Sequence, residues 1–155
     1  ASIAEVLSAR LQKIDPEGTA YYQQRLETFL REWNAAIAGW ESAASGLRGK
    51  KAIVYHKSWS YLLNWLQVDV VGDIEPKPGI PPTSAHLANL LKAARANSPD
   101  FILITNYQHE KGALWLSDKT GVPVLRLPFT IGGSEQATSL RSLYDNVLSS
   151  MLQGR

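Results

Sequence analysis

Of the three histidines in this sequence, His56 is the one whose position suits it for chemistry. It directly follows the apolar run Ala52-Ile53-Val54-Tyr55, at the carboxyl end of an expected strand and the start of the loop into the next helix. Imidazole is the commonest neutral metal ligand, and a strand-end loop holds it rigidly while leaving one side open. From position alone, a lone histidine such as His56 is more often structural than a ligand. His86 falls near the start of a helix expected to begin at Thr83, and His109 in the loop after the run 101–105. Both read as solvent-exposed or locally hydrogen-bonded. The sequence has no HxxxH, no HxH and no carboxylate–histidine pair at metal spacing. A zinc site needs three or four ligands, so a complete site would draw on residues from outside this sequence.

Other constellations point away from catalysis. Cysteine is absent, which removes disulfides, thiolate metal sites and cysteine nucleophiles together. Gly132-Gly133-Ser134 precedes an expected helix and could cradle an anion on helix N–H groups. Without a Walker pattern or GxGxxG, a turn followed by a serine N-cap is the favoured reading. Ser58, Ser60 and Ser84 lack a nucleophile elbow, and Asp118 and Asp145 read as solvated charges on helix faces. No nucleophile, base and oxyanion hole assemble, so the residues argue for binding.

The elements that must hold His56 follow from composition and pattern. With 155 residues, 45% of them apolar and 19% charged, the chain suits one globular domain with its own core. The net charge of +2 comes from 16 basic and 14 acidic residues without a basic cluster, so neither nucleic acid nor a membrane surface is an expected partner. No apolar run approaches the roughly 18 residues of a membrane span. The chain opens at Ala1 without Met and is inside a helical pattern by Ile3, as expected of a processed product or a fragment.

Ile3, Val6, Leu7, Leu11 and Ile14 predict an amphipathic helix over 2–14. Asp15 as N-cap and Pro16 at the first position then open a second helix running to about Ala44. Its stripe of Leu26, Leu30, Trp33, Ile37, Trp40 and Ala44 is read as packing surface. After a polar break at 46–51 the texture changes. Strands are expected at 52–55, 68–74, 101–105 and 122–127, and helices at 58–66, 83–96, 110–119 and 134–152, the last capped by Ser134. Alternation of this kind predicts an α/β fold: a four-stranded, mainly parallel sheet with helices on both faces, preceded by the long helix. Between the second strand and its helix lie four prolines in the eight residues 75–82, expected to shape a loop at a strand's carboxyl end.

Several segments together resemble the solute-binding proteins of zinc and manganese ABC importers, the cluster A-I or high-affinity zinc uptake type. They are Lys13-Ile14-Asp15-Pro16 with Tyr21 and the long helix, and Val54-Tyr55-His56-Lys57-Ser58-Trp59-Ser60-Tyr61-Leu62. The others are Glu75-Pro76-Lys77-Pro78-Gly79-Ile80-Pro81-Pro82-Thr83, Thr120-Gly121-Val122-Pro123-Val124, and Leu127-Pro128-Phe129-Thr130-Ile131-Gly132-Gly133. Their order and spacing cover nearly the whole chain. The resemblance implies two α/β lobes joined by a rigid helix, with the metal in the cleft between them. It divides this chain into the N-terminal and linking helices, 1–46, and the C-terminal metal-site lobe, 47–155, the first lobe and its two His ligands being absent. His56 matches the metal ligand supplied by the second lobe. Histidine there implies Zn2+ ahead of Mn2+, since manganese binders tend to place Glu. The Asp that some relatives use as a further ligand would fall near 128–130, where this chain has no carboxylate.

The resemblance thus implies a periplasmic, or membrane-associated extracytoplasmic, protein that captures Zn2+ and delivers it to an ABC permease in the inner membrane. The missing lobe is its partner, and the isolated chain is expected to form a homodimer through apolar surface left bare on the long helix. Two alternatives stand beside it. One is a metal-independent, adhesin-like interaction module on the same fold. The other is a small α/β hydrolase using His56 as base.

Overall fold

The computed structural model describes residues 1–77 and 79–154, so Pro78 of the proline-rich segment and Arg155 lie outside the described residues. The chain divides into two compact units, Ala1–Ser42 and Ala43–Arg155.

The first unit is helical. Helix α1 spans Ser2–Ile14 as its periodicity predicts, and α2 spans Thr19–Ala43. Between them Pro16–Gly18 forms a single 3-10 turn, so Asp15 and Pro16 open that turn and not the long helix. The reason is local: Asp15 Oδ1 accepts the Gly18 N–H at 3.2 Å while its Oδ2 accepts the Tyr22 hydroxyl at 2.8 Å. Gly18 permits this closeness, because a Cβ there would stand 2.5 Å from Asp15 Oδ2. From Leu26 to Trp40 the expected stripe along α2 is half-buried to buried, with Trp33 edge-on to Trp40 and stacked on Phe29, an exposed ring outside the stripe. The barest apolar side chains of this unit lie on α1 instead, where Ile3 and Val6 are 85% and 71% exposed.

The second unit carries the sheet. Strands β1 (Lys51–Val54), β2 (Asp69–Asp73), β3 (Phe101–Thr105) and β4 (Val124–Leu127) lie in the order β2-β1-β3-β4, and every neighbouring pair is parallel. The α/β fold with a four-stranded parallel sheet is therefore as the alternation implied. The connecting helices are α3 (Ser60–Trp65), α4 (Ser84–Asn97), α5 (Lys111–Thr120) and α6 (Leu140–Gln153). Alternation along the strands sends Ile53, Tyr55, Ile102 and Ile104 into one core with Leu90, Ala94, Ala113 and Leu116 of α4 and α5. The other parity, Val54, Phe101, Leu103 and Leu127, is equally buried and turns to the opposite face. There Leu125 lies so close to the end of α6 that a Cβ on Gly154 would stand 2.5 Å from it. Strand β3, central and buried at all five positions, reads as a continuous apolar run for this reason. A register shift opposite Ala52 and Ile53 places Gly72 beside Ile53, where a Leu90 methyl lies 2.6 Å from where a Cβ would be.

Most boundaries of this unit shift by a single residue from the sequence reading, and three elements depart further. The segment expected as one helix over 58–66 is a 3-10 turn, Lys57–Trp59, followed by α3. Strand β4 starts at Val124 instead of Val122. The last helix starts at Leu140, capped by Ser139 instead of Ser134. Ser139 and Ser142 bond reciprocally as a capping box. Ser134 Oγ accepts the Ala137 N–H at 3.2 Å within a turn. With no helix starting at Ser134, the Gly132-Gly133-Ser134 segment is a turn, Gly132 taking a φ of +81°, and offers no helix N-terminus to an anion.

At the amino-terminal edge of the sheet Asp100 clips β1 to β3. It accepts from Lys50 Nζ at 2.6 Å and from the Lys51 N–H at 2.8 Å. Burial pushes its carboxyl up, but the Lys50 and Lys51 bonds and the neighbouring charges together outweigh this and hold it below the ordinary value of 3.8. The unfolded chain takes up this proton first, so the clip's contribution is present above pH 3.8 and is lost as pH falls through the lower folded value. Asp100→Asn is expected to lower stability at pH 7 while flattening its dependence below pH 4, read by urea unfolding at stepped pH. An unchanged acid limb would contradict the clip.

Candidate metal site

Sheet topology determines which loops meet. From β1 the chain goes to β2 on one side, whereas β3, on the other side of β1, leads to β4 further out. Loops leaving β1 and β3 therefore diverge, and a crevice opens outside their carboxyl ends, where open α/β sheets take ligands. His56 stands on one lip of this crevice. The residue before it is anchored on both sides: the Tyr55 N–H donates to Leu103 O and the Tyr55 carbonyl accepts from the Glu75 N–H, both at 2.9 Å. His56 is extended (φ −143°, ψ 163°) and precedes the 3-10 turn without capping it, so its imidazole is not spent on backbone. Nδ1 lies 3.3 Å from Ser58 Oγ. With the proton on Nδ1 donated to that hydroxyl, Nε2 presents its lone pair.

The cleft against which His56 lies measures about 310 Å³, and its other walls are Tyr55, Ser58, Glu75, Tyr107, Gln108 and His109. Sequence reasoning passed over Glu75, Tyr107 and Gln108. Each follows the carboxyl end of β2 or β3, a signal present in the sequence but meaningful only once strand order is known. Gln108 is locked by Thr105, whose N–H donates to its Oε1 at 2.8 Å. Burial first, and the Glu75 carboxylate second, push the Tyr55 phenol above its usual 10, so it stays a neutral hydroxyl at physiological pH. The loops are tied together by rings, with Phe129 edge-on to both Trp59 and Tyr107, and by Asn106 Nδ2, which donates to Gly133 O at 2.8 Å.

The other histidines divide. His86 is half-buried with Nε2 2.8 Å from Asp73 O, a local hydrogen bond that keeps it out of the cleft. His109 is exposed on the cleft wall. Among the described residues no three His, Cys, Asp or Glu side chains gather as a metal site. Residues 128–130 likewise bring no carboxylate. No helix among the described residues is long and apolar enough to cross a membrane.

Comparison with solved structures gives the same fold. A laminin-binding adhesin, Lmb, from Streptococcus agalactiae is 17% identical with a TM-score of 0.75, the match covering 96% of this chain and 56% of that one. A crystal structure of ZnuA is 20% identical with a TM-score of 0.73, covering 92% and 52%. The solute-binding protein FpvC from Pseudomonas aeruginosa, in complex with Mn2+, is 17% identical with a TM-score of 0.74, covering 96% and 56%. The chain thus spans a little over half the length of the structures it matches. No curated protein matches it in sequence. The family model described as zinc-uptake complex component A, periplasmic, matches residues 1–153, and the chain belongs to that family.

Proposed function

We propose that this chain is the C-terminal, metal-site lobe of a periplasmic binding protein that captures Zn2+ and hands it to an ABC permease, with His56 as its metal ligand. One observation carries the reading: a half-buried imidazole stands at the crevice of a parallel sheet, its Nδ1 3.3 Å from Ser58 Oγ and its Nε2 without a hydrogen-bond partner among the described residues. Family membership supports metal uptake as the setting. Neutral imidazole nitrogen favours Zn2+ over the harder, oxygen-preferring Mn2+. One ligand does not make a zinc site, so the remaining ligands come from a preceding lobe that closes over the cleft. The metal is cargo here and no chemistry is performed on it. Neither ring nitrogen of His56 bonds a carboxylate among the described residues, which supports binding over a hydrolase with His56 as base.

The test is calorimetric titration of zinc into a protein joining this chain to its first lobe. Saturable, stoichiometric binding that the chain alone does not match is expected, and equal weak binding by both would contradict the two-lobe site. Ser58→Ala is expected to weaken zinc about tenfold by releasing the ring, with Ser58→Thr restoring most of it. An unchanged affinity would remove Ser58 from the site. A metal-independent interaction module is the second reading. It is favoured by Tyr61, 94% exposed on a separate pocket that also touches Ser58, and by the fold shared with the adhesin Lmb.

A further inference from the structure

Beside the His56 cleft, and sharing Tyr55, Glu75 and His109 with it, lies a second cavity of about 720 Å³. That is far more than a metal ion occupies and falls within the range of sites for small organic molecules, about 300–1,000 Å³. It sits between the proline-rich loop and the first turns of α4 and α5. Its walls are mostly apolar: Ile74, Pro81, Pro82, Leu87 and Trp115. The first turn of α5 forms its floor. Gly112 lets the backbone come so near that a Cβ there would lie 3.0 Å from Ile74 and 3.9 Å from Pro82.

The charges in the cavity are not equivalent. Glu75 is engaged, its Oε1 accepting the Gly79 N–H at 3.0 Å and so holding the loop's shape. Lys111 has no ion pair or hydrogen bond among the described residues. It is the first residue of α5, where a cation opposes the helix dipole. No side chain caps that end, because the Glu110 carboxylate is turned to Arg126. Lys111 is exposed at the cavity rim, and Trp115 lies one turn further along the same face, so a cationic group stands beside an apolar wall, a pairing that an anion with an apolar body matches.

We infer that this cavity binds a small organic carboxylate with an apolar or aromatic body, its carboxylate on Lys111 and its body between Trp115 and the proline loop. The site stands apart from the zinc reading, since it needs neither metal nor a second lobe.

The test uses the 15N-labelled chain, stripped of metal over a chelating resin and titrated with 3-phenylpropionate, 3-phenylpropionamide and 3-phenylpropylamine. The indole N–H signal of Trp115, assigned through Trp115→Phe, is followed. The carboxylate is expected to shift this signal and to bind about tenfold more tightly than the amide. Lys111→Gln, at an exposed position, should remove that preference while leaving amide binding unchanged. Absence of a Trp115 shift, equal affinity for acid and amide, or preference for the amine would each overturn the inference.

Discussion

Replacing His56 by alanine is expected to lower the zinc affinity of the two-lobe protein by a factor of about 100 to 1,000. Structural zinc sites of four ligands are worth roughly 10–16 kcal/mol, so one ligating nitrogen carries about 2.5–4 kcal/mol, and each 1.4 kcal/mol is tenfold. The fold should be indifferent to the change. His56 is half-buried on the cleft lip, outside both faces of the sheet core, and among the described residues its one side-chain bond is the 3.3 Å approach to Ser58. Urea unfolding of His56→Ala should therefore overlay the unsubstituted protein while the calorimetric titration collapses. Retained affinity would make His56 a structural residue and favour the metal-independent module, which requires no change in zinc binding at all.

Phe101→Ala is expected to be the most damaging single truncation for the second unit, at about 3–5 kcal/mol. Phe101 opens the central strand, pairs with Ala52 of β1 and is 1% exposed. A small, partly open pocket of about 130 Å³ lies beside it, lined by Lys50 and Asp100 as well as Leu47 and Met151. Truncation would leave a cavity where the ring was, and packed interiors collapse only partially around lost atoms. Against a usual total stability of about 5–15 kcal/mol, the loss is a large fraction of what holds a domain folded. Phe101→Leu keeps most of the volume and should cost no more than about 1.5 kcal/mol. Urea midpoints for the two variants measure this directly, and equal midpoints would show that Phe101 is not a central packing residue.

Periodicity and punctuation read well wherever a single local interaction decides the structure. Helix α1 runs over the residues its apolar spacing predicts, β3 over its uninterrupted apolar run, and Thr83 caps α4 by accepting the His86 N–H. Sequence failed where two local solutions compete. Asp15 has the chemistry of a long-helix cap but closes on Gly18 and Tyr22 instead. Ser134 and Ser139 are both plausible caps, and the choice of Ser139 rests on Ser142, since serine in place of Glu or Gln gives a weak capping-box signature. Residues at the site divide in the same way. His56 was visible because it follows a strong strand pattern directly. Glu75, Tyr107 and Gln108 were not, because only the order β2-β1-β3 brings loops 19 and more residues away alongside His56. The apolar cavity over Gly112 was likewise hidden, since it depends on how closely the first turn of α5 approaches Ile74.

Anomalous diffraction at the zinc edge from crystals of the zinc-loaded two-lobe protein tests the metal site most directly. A peak about 2.0–2.1 Å from His56 Nε2, with the remaining ligands contributed by the preceding lobe, is the expected result. A zinc peak elsewhere, with the His56 ring turned from it, would contradict the assignment and leave the crevice without its proposed cargo.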